Sequence, residues 1–439
     1  MNNIIKIIIN WQDHILKNQG IKREIFSKIY AEIQAKPIKI LTGFRRSGKS
    51  FLMTQIAKQA IDEKKYSLNN VLYINFEDVQ LLSHQNLEGL NLIWQSFNNN
   101  ISEKGPKLVI FDEIQLIPNW QNFIRTLYEK EKDLSIFLTG SNSEMLSSEL
   151  GSALAGRYIE FHILPFSFSE VLALKNIYIK DRNDYWRQEK DIVATFTDFY
   201  NFGGLPEIYS INGDSARKSY YEGIIKKVIL DDIIKRFKVK NIGLLEELFS
   251  YLLGGIGNVT LISKLTNKIN SIKNLQITQN TIIDYVKYFK QCFALFDLAK
   301  FDWKQSKIFN TTKKYYCIDL GVLNCFSESL VNIDSKKLEN LVFLHLKKKH
   351  PMIYFGQDNL GKEIDFIVPK ENGKFDKYQV CQQLTPDNQA REIGNLELAN
   401  NYLKTGNTFL ITEKESRYLP NSNIQQINII EFLLGLENQ

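Results

Sequence analysis

Cysteine and histidine are scarce in this chain of 439 residues, which has four of the first and five of the second. Cys292, Cys317, Cys325 and Cys381 lack both Cys-x-x-Cys spacing and regular pairing, so they are expected as reduced core thiols rather than disulfides. His345 and His350 are too far out of phase to share one helical face, and no metal site is expected from them. No apolar run approaches the roughly 18 residues of a membrane span. The N-terminal isoleucines, Ile4 to Ile9, are broken by Lys6 and followed by Trp11-Gln-Asp-His14, with no small-residue cleavage site behind them. No membrane partner is expected, and the expected location is the cytoplasm. Internal repeats, low-complexity tracts and Gly/Ser linkers are also missing, which argues for domains packed together. A net charge of +6 supports nucleic-acid contact only weakly.

The chain is long enough for about three domains. Its 44% apolar and 12% aromatic content excludes a largely disordered protein. Its most specific stretch is Gly43-Phe44-Arg45-Arg46-Ser47-Gly48-Lys49-Ser50, the GxxxxGK[ST] spacing of a phosphate-binding loop. Gly43 and Gly48 let the backbone curl so that its N–H groups converge on phosphate oxygens. Lys49 reaches the β- and γ-phosphates, and the Ser50 hydroxyl is a ligand for Mg²⁺. Residues 36–42 read as a buried strand and 51–62 as a helix, so the helix N-terminus faces the anion. The expectation is a nucleoside triphosphate with Mg²⁺.

Lys107 to Glu113 is an apolar strand ending in two acids. The first, Asp112, suits Mg²⁺; the second, Glu113, suits a base that orients and deprotonates the attacking water. A further strand, 134–139, ends in Thr139, Ser141 and Asn142. These are candidates for sensing the γ-phosphate or the water, and equally fit an ordinary strand-end turn. Strands at 36–42, 70–76, 108–112 and 134–139 alternate with helices at 51–62 and 121–131. That order points to an α/β fold with a parallel sheet. Residues 1–35 read as helical, Asn98 to Asn100 and Lys104-Gly-Pro106 as loops. From 167 to 240 the pattern is mostly helical, with Pro206 opening a helix after Gly203-Gly204.

Residues 241–305 read as a winged helix, with helices near 244–254, 260–270 and 279–291 and then a hairpin strand. Gln279, Asn280, Lys287 and Lys290 on its last helix are candidates for DNA contact. The other reading is a module that only packs against its neighbours. Two basic clusters, Lys235 to Lys240 and Lys347 to Lys349, fit solvated helix faces as well as phosphate contacts.

The loop, Phe111-Asp-Glu-Ile-Gln115, Asn119-Trp120, Leu138-Thr-Gly-Ser141, Ala155-Gly-Arg157 and Leu164 to Glu170 together resemble a prokaryotic group of AAA-type ATPases near the archaeal-type ATPases. The resemblance continues through Gly203-Gly-Leu-Pro206, Asp232 to Arg236, Tyr316 to Gly321, Leu338 to Val342 and Lys362 to Phe366. It implies ATP hydrolysis and four parts: a P-loop core over 1–165, a helical lid over 166–240, the winged helix over 241–305, and a C-terminal domain over 306–439 of the PD-(D/E)xK nuclease type. ATP would close the lid and hydrolysis release it, with the appended domains reading the state to a protein or DNA partner. An ATP-sensing DNA-binding regulator with slow turnover is the alternative. The resemblance also places Arg157 as a transition-state arginine, acting within its chain or across a homo-oligomer. A structural pair with Glu160 or Glu170 is the competing reading. In the C-terminal domain Glu339 and Asp365 occupy nuclease positions, but Gln379 and Cys381 stand where a Glu and a Lys are needed. An amide draws Mg²⁺ poorly and a thiol supplies no cation, so an inactive domain is expected.

Overall fold

The computed structural model describes residues 2–17, 20–141, 154–273, 276–303, 307–327, 333–358, 360–403, 405–414 and 423–436. The chain forms two compact units: residues 1–165 with 291–293, and residues 166–290 with 294–439.

In the first unit, β1 (Ile38–Thr42), β2 (Val71–Asn75), β3 (Lys107–Asp112), β4 (Leu134–Gly140) and β5 (Tyr158–His162) make a parallel sheet in the order β2-β3-β4-β1-β5. Successive side chains of a strand point to opposite faces. Ile38, Ile40, Leu72, Ile74, Val109, Phe111, Ile136 and Leu138 accordingly enter one core, while Leu41, Val71, Tyr73, Leu108, Ile110 and Phe137 enter the other. The first core takes its helical cover from α1 (Asn2–Lys17), α4 (Leu87–Asn100) and α5 (Trp120–Lys130). The second takes it from α2 (Phe26–Ala31) and α3 (Lys49–Asp62). A sheet covered on both faces explains why its strands read as continuous apolar runs.

Two sequence expectations change here. Asn98 to Asn100 are the last turn of α4 rather than a loop, because Leu90, Ile93 and Phe97 bury one helical face and carry the helix past the asparagines. Strand β5 was not expected from its mixed residues. Its backbone pairs with β1 from Ile38↔Tyr158 to Thr42↔His162, and Thr42 Oγ1 donates to Glu160 Oε1 at 2.9 Å.

The second unit begins with α6 (Phe168–Leu174), closed at its start by a reciprocal Ser167–Glu170 capping box, and α7 (Arg182–Phe202). Pro206 opens a 3₁₀ turn, and α8 (Asp214–Lys227) continues as a π-helix over Val228–Lys235. Three helices follow, α9 (Ile242–Gly254), α10 (Ile262–Lys273) and α11 (Gln279–Gln291). Strands β6 (Leu295–Asp302), β7 (Lys307–Cys317), β8 (Tyr354–Gln357), β9 (Glu363–Pro369), β10 (Phe375–Cys381), β11 (Thr408–Thr412) and β12 (Gln425–Asn428) form one mixed sheet ordered β12-β11-β10-β9-β8-β6-β7. The expected boundary at 305/306 lies outside the described residues; on either side of it β6 and β7 pair antiparallel and share a sheet with all that follows.

Two of the motif runs meet in this unit and explain each other. Buried Asp319 accepts the Gly204 N–H at 2.6 Å and the Gly321 N–H at 2.8 Å. A Cβ at Gly203 would lie 2.0 Å from Asp319 Oδ1, so only glycine fits that approach.

Candidate functional site

The phosphate-binding loop leaves the C-terminal end of β1, beside the ends of β4 and then β3. Parallel sheets bind ligands at that edge. Gly43 has φ +152°, and a Cβ there would come within 2.2 Å of Ile163 O. Arg46 and Gly48 also have positive φ, at 65° and 91°, and curl the loop into α3. Phe44 is fully buried beneath it. Lys49 opens α3 as a buried side chain whose Nζ donates to Gly43 O at 3.0 Å and Phe44 O at 3.1 Å. Ser50 is the second residue of the helix, and Arg45 pairs with Glu77 at 3.1 Å. Arg23 braces the loop from outside the motif. Its guanidinium donates to Ser47 O at 2.9 Å and to Leu164 O at 2.8 Å.

The acids stand next to the loop. Asp112 is fully buried at the end of β3, and both of its oxygens accept a hydroxyl: Tyr73 to Oδ2 at 2.8 Å and Thr139 Oγ1 to Oδ1. Burial, then the neighbouring carboxylate, pushes the Tyr73 phenol well above its usual range, so it stays a donor. Thr139 also accepts the Glu113 N–H at 3.0 Å, which ties β3 to β4. Glu113 has a left-handed backbone, and its Oε2 accepts Ser141 Oγ at 3.3 Å and the Gln115 amide. Thr139 and Ser141 thus join the acids, while Asn142 lies outside the described residues.

The residues fit the groups they imply. The Ser47 hydroxyl is buried without a hydrogen-bond partner among the described residues, inside a loop whose curvature suits phosphate oxygens. Ser50 and Asp112 offer the hard oxygens that Mg²⁺ prefers.

Arg157 stands apart. The Ile38 N–H donates to Arg157 O at 2.8 Å, so this residue lies at the start of β1 while the loop leaves its end. Five strand residues, roughly 16 Å, separate the two. The topology removes Arg157 from the loop of its own chain, correcting that part of the expectation. Its guanidinium pairs with Glu129 at 3.3 Å, not with Glu160 or Glu170.

In the second unit Glu339, Glu363 and Asp365 surround a cation that carries no motif in the sequence. Lys314 of β7 lies 3.0 Å from Glu339, 2.7 Å from Glu363 and 3.6 Å from Asp365. Burial alone would lower its pKa, but these carboxylates raise it above the usual lysine range. Burial and the neighbouring Glu339 push Asp365 well above the carboxylate range. Gln379 donates to Glu392 at 2.8 Å, and the Cys381 thiol is buried and pushed up to about 12. Of the candidate DNA contacts, Lys290 is paired with Asp297 at 2.7 Å. In the two basic clusters, Lys235 pairs with Asp231 and Lys348 with buried Glu170.

Residues 35–172 match the AAA domain family, and residues 193–336 match a domain of unknown function, DUF8612. An uncharacterized protein of Methanocaldococcus jannaschii is 32% identical over 419 residues, covering 93% of this chain and 90% of that protein. One from Haemophilus influenzae is 28% identical, covering 90% and 94%. Among solved structures, the Walker-type ATPase of Pyrococcus abyssi aligns with a TM-score of 0.45 at 17% identity, over 71% of this chain and 99% of that one. The chain belongs to the family of the Methanocaldococcus jannaschii protein, and its residues 35–172 are an AAA domain.

Proposed function

We propose that this chain binds ATP at residues 43–50 and hydrolyses it with Glu113 as the general base. The observation that carries the proposal is the convergence of Lys49, Ser50, Asp112 and Glu113 on one sheet edge, beside a loop with an orphaned buried hydroxyl. On binding, the Lys49 ammonium exchanges its contacts with Gly43 O and Phe44 O for phosphate oxygens. Ser50 and Asp112 would hold Mg²⁺, which would supply neutralisation of the phosphate charge. Glu113 takes a proton from water as the water oxygen bonds to the γ-phosphorus and the bond to ADP breaks. Ser141 steadies the Glu113 carboxylate. Arg157 has no part in this chain's own reaction.

A conformational readout is the second element of the proposal. Arg23 holds Ser47 of the loop and Leu164 with one guanidinium, and residue 165 is where the first unit ends. A loop that tightens on phosphate would pull on the segment leading to residues 166–439. Those residues would then act as the reader of nucleotide state toward a partner, without nuclease chemistry of their own.

The test is a pair of variants. Lys49→Ala is expected to lose ATP binding in calorimetric titration. Glu113→Gln is expected to bind ATP like the wild type and to release phosphate about 10²–10⁴-fold more slowly. Equal hydrolysis by Glu113→Gln and wild type would overturn the assignment of the base.

A further inference from the structure

The Asp-Glu-Ile-Gln run contains one side chain that the reaction above leaves unused. Gln115 stands two residues past Glu113, and the backbone turns it back toward the acid. Glu113 adopts φ 54° and ψ 42°, followed by a 3₁₀ turn over Ile114–Leu116. Left-handed geometry is costly for a residue with a side chain, and such conformations gather at active sites. The reversal lets Gln115 Nε2 donate to Glu113 Oε2, with Ser141 Oγ 3.5 Å away.

Only the NH₂ half of an amide can face a carboxylate, so the contact with Glu113 fixes which way the side chain is turned. Its Oε1 is consequently directed elsewhere. That oxygen is buried and has no hydrogen-bond partner among the described residues. A buried, unpaired amide oxygen is unfavourable and calls for a specific partner. Here it lies one side chain from the group assigned to accept the proton of the attacking water.

We propose that Gln115 positions that water. Its Oε1 accepts one water hydrogen while Glu113 accepts the other, leaving an oxygen lone pair for the γ-phosphorus. The proton leaves with Glu113, the new P–O bond forms, and ADP departs with the electrons of the broken bond. Gln115 thereby acts twice, holding the base through Nε2 and the nucleophile through Oε1. The inference rests on the reading of Glu113 as the base.

Full-length Gln115→Met, close to the natural side chain in volume but with no amide, is the first test. Its affinity for a fluorescent ATP analogue should stay within a few-fold of wild type, while kcat falls about 10²-fold, the scale of a misplaced reactant. The double variant Glu113→Gln/Gln115→Met should release phosphate in single-turnover assays no more slowly than Glu113→Gln alone, since positioning has no effect once the base is gone. A merely structural glutamine would instead lower affinity or add its deficit to that of Glu113→Gln. If circular dichroism shows Gln115→Met unfolded, Gln115→Asn carries the same expectations, because its amide is drawn back by one methylene. Wild-type turnover in the Gln115 variant beside an inactive Glu113→Gln overturns the role of Gln115 alone. Wild-type turnover in Glu113→Gln overturns the base on which it rests.

Discussion

Replacing Lys314 with methionine is expected to weaken the second unit far more than the same change at Lys313. Lys314 is 1% exposed at its side chain and serves three carboxylates, whereas Lys313 is 28% exposed and pairs with Asp297, which Lys290 also serves. Removing one partner from a buried charge cluster costs about 3–5 kcal/mol, because the remaining charges stay desolvated. Removing a partly exposed partner costs about 0–1 kcal/mol. With a urea m-value of about 3 kcal/mol/M, Lys314→Met should lower the unfolding midpoint by roughly 1–1.7 M. The pH dependence has a definite sign. The folded pKa of Lys314 is raised, so its contribution is complete below the unfolded lysine value and is lost only as pH rises through the folded one. It is therefore constant in the wild type between pH 5 and 8. Asp365 is also raised, so its favourable contribution is present at low pH and fades as pH climbs through the folded value. Without the ammonium, Asp365 takes up a proton more readily, and the deficit of Lys314→Met should shrink from pH 8 to pH 5. Urea titrations followed by circular dichroism at both pH values measure this. Equal midpoints for the 313 and 314 variants, or a deficit that grows toward acid, would refute the reasoning.

Gly43→Ala should lose ATP binding in calorimetry, since its Cβ would meet Ile163 O at 2.2 Å at a φ that side chains disfavour. Arg157→Ala should turn over ATP like the wild type and lose at most about 1 kcal/mol of stability, as a surface pair does. A fall in turnover of hundreds-fold would show that a neighbouring chain uses this arginine.

The loop and both acids are legible in the sequence because they are local. A few adjacent residues set the backbone curl, and an apolar run followed by Asp-Glu marks a strand end. Arg23, Tyr73 and Lys314 are not legible. Each acts on residues far along the chain: Arg23 on Ser47 and Leu164, Tyr73 on Asp112, Lys314 on Glu339, Glu363 and Asp365. A lone basic or phenolic residue carries no spacing that announces such a partner. The end of α4 was obscured for a different reason. Asparagines favour turns by themselves, but burial of Leu90, Ile93 and Phe97 outweighs that preference. The Arg157 expectation rested on its place after β4 in sequence, and sequence order does not say which end of a strand a residue occupies.

The two sheets differ in the order in which a growing chain can complete them. In the first unit β1 lies between β4 and β5, so the earliest strand has no neighbour until residues 134–162 have been made. Its segment and the loop that follows must wait through nearly a hundred residues of synthesis, roughly 5–20 seconds at ribosomal speed. In the second unit, after the β6–β7 hairpin, each strand from β8 to β12 adds to the edge left by the one before. That sheet can be laid down in the direction of translation. Each intermediate then carries, besides the β7 edge, a growing edge that the next strand covers as it emerges. A chain arrested between β10 and β11 would present its β10 edge to other molecules, making residues 382–407 the stretch where a translational pause invites aggregation.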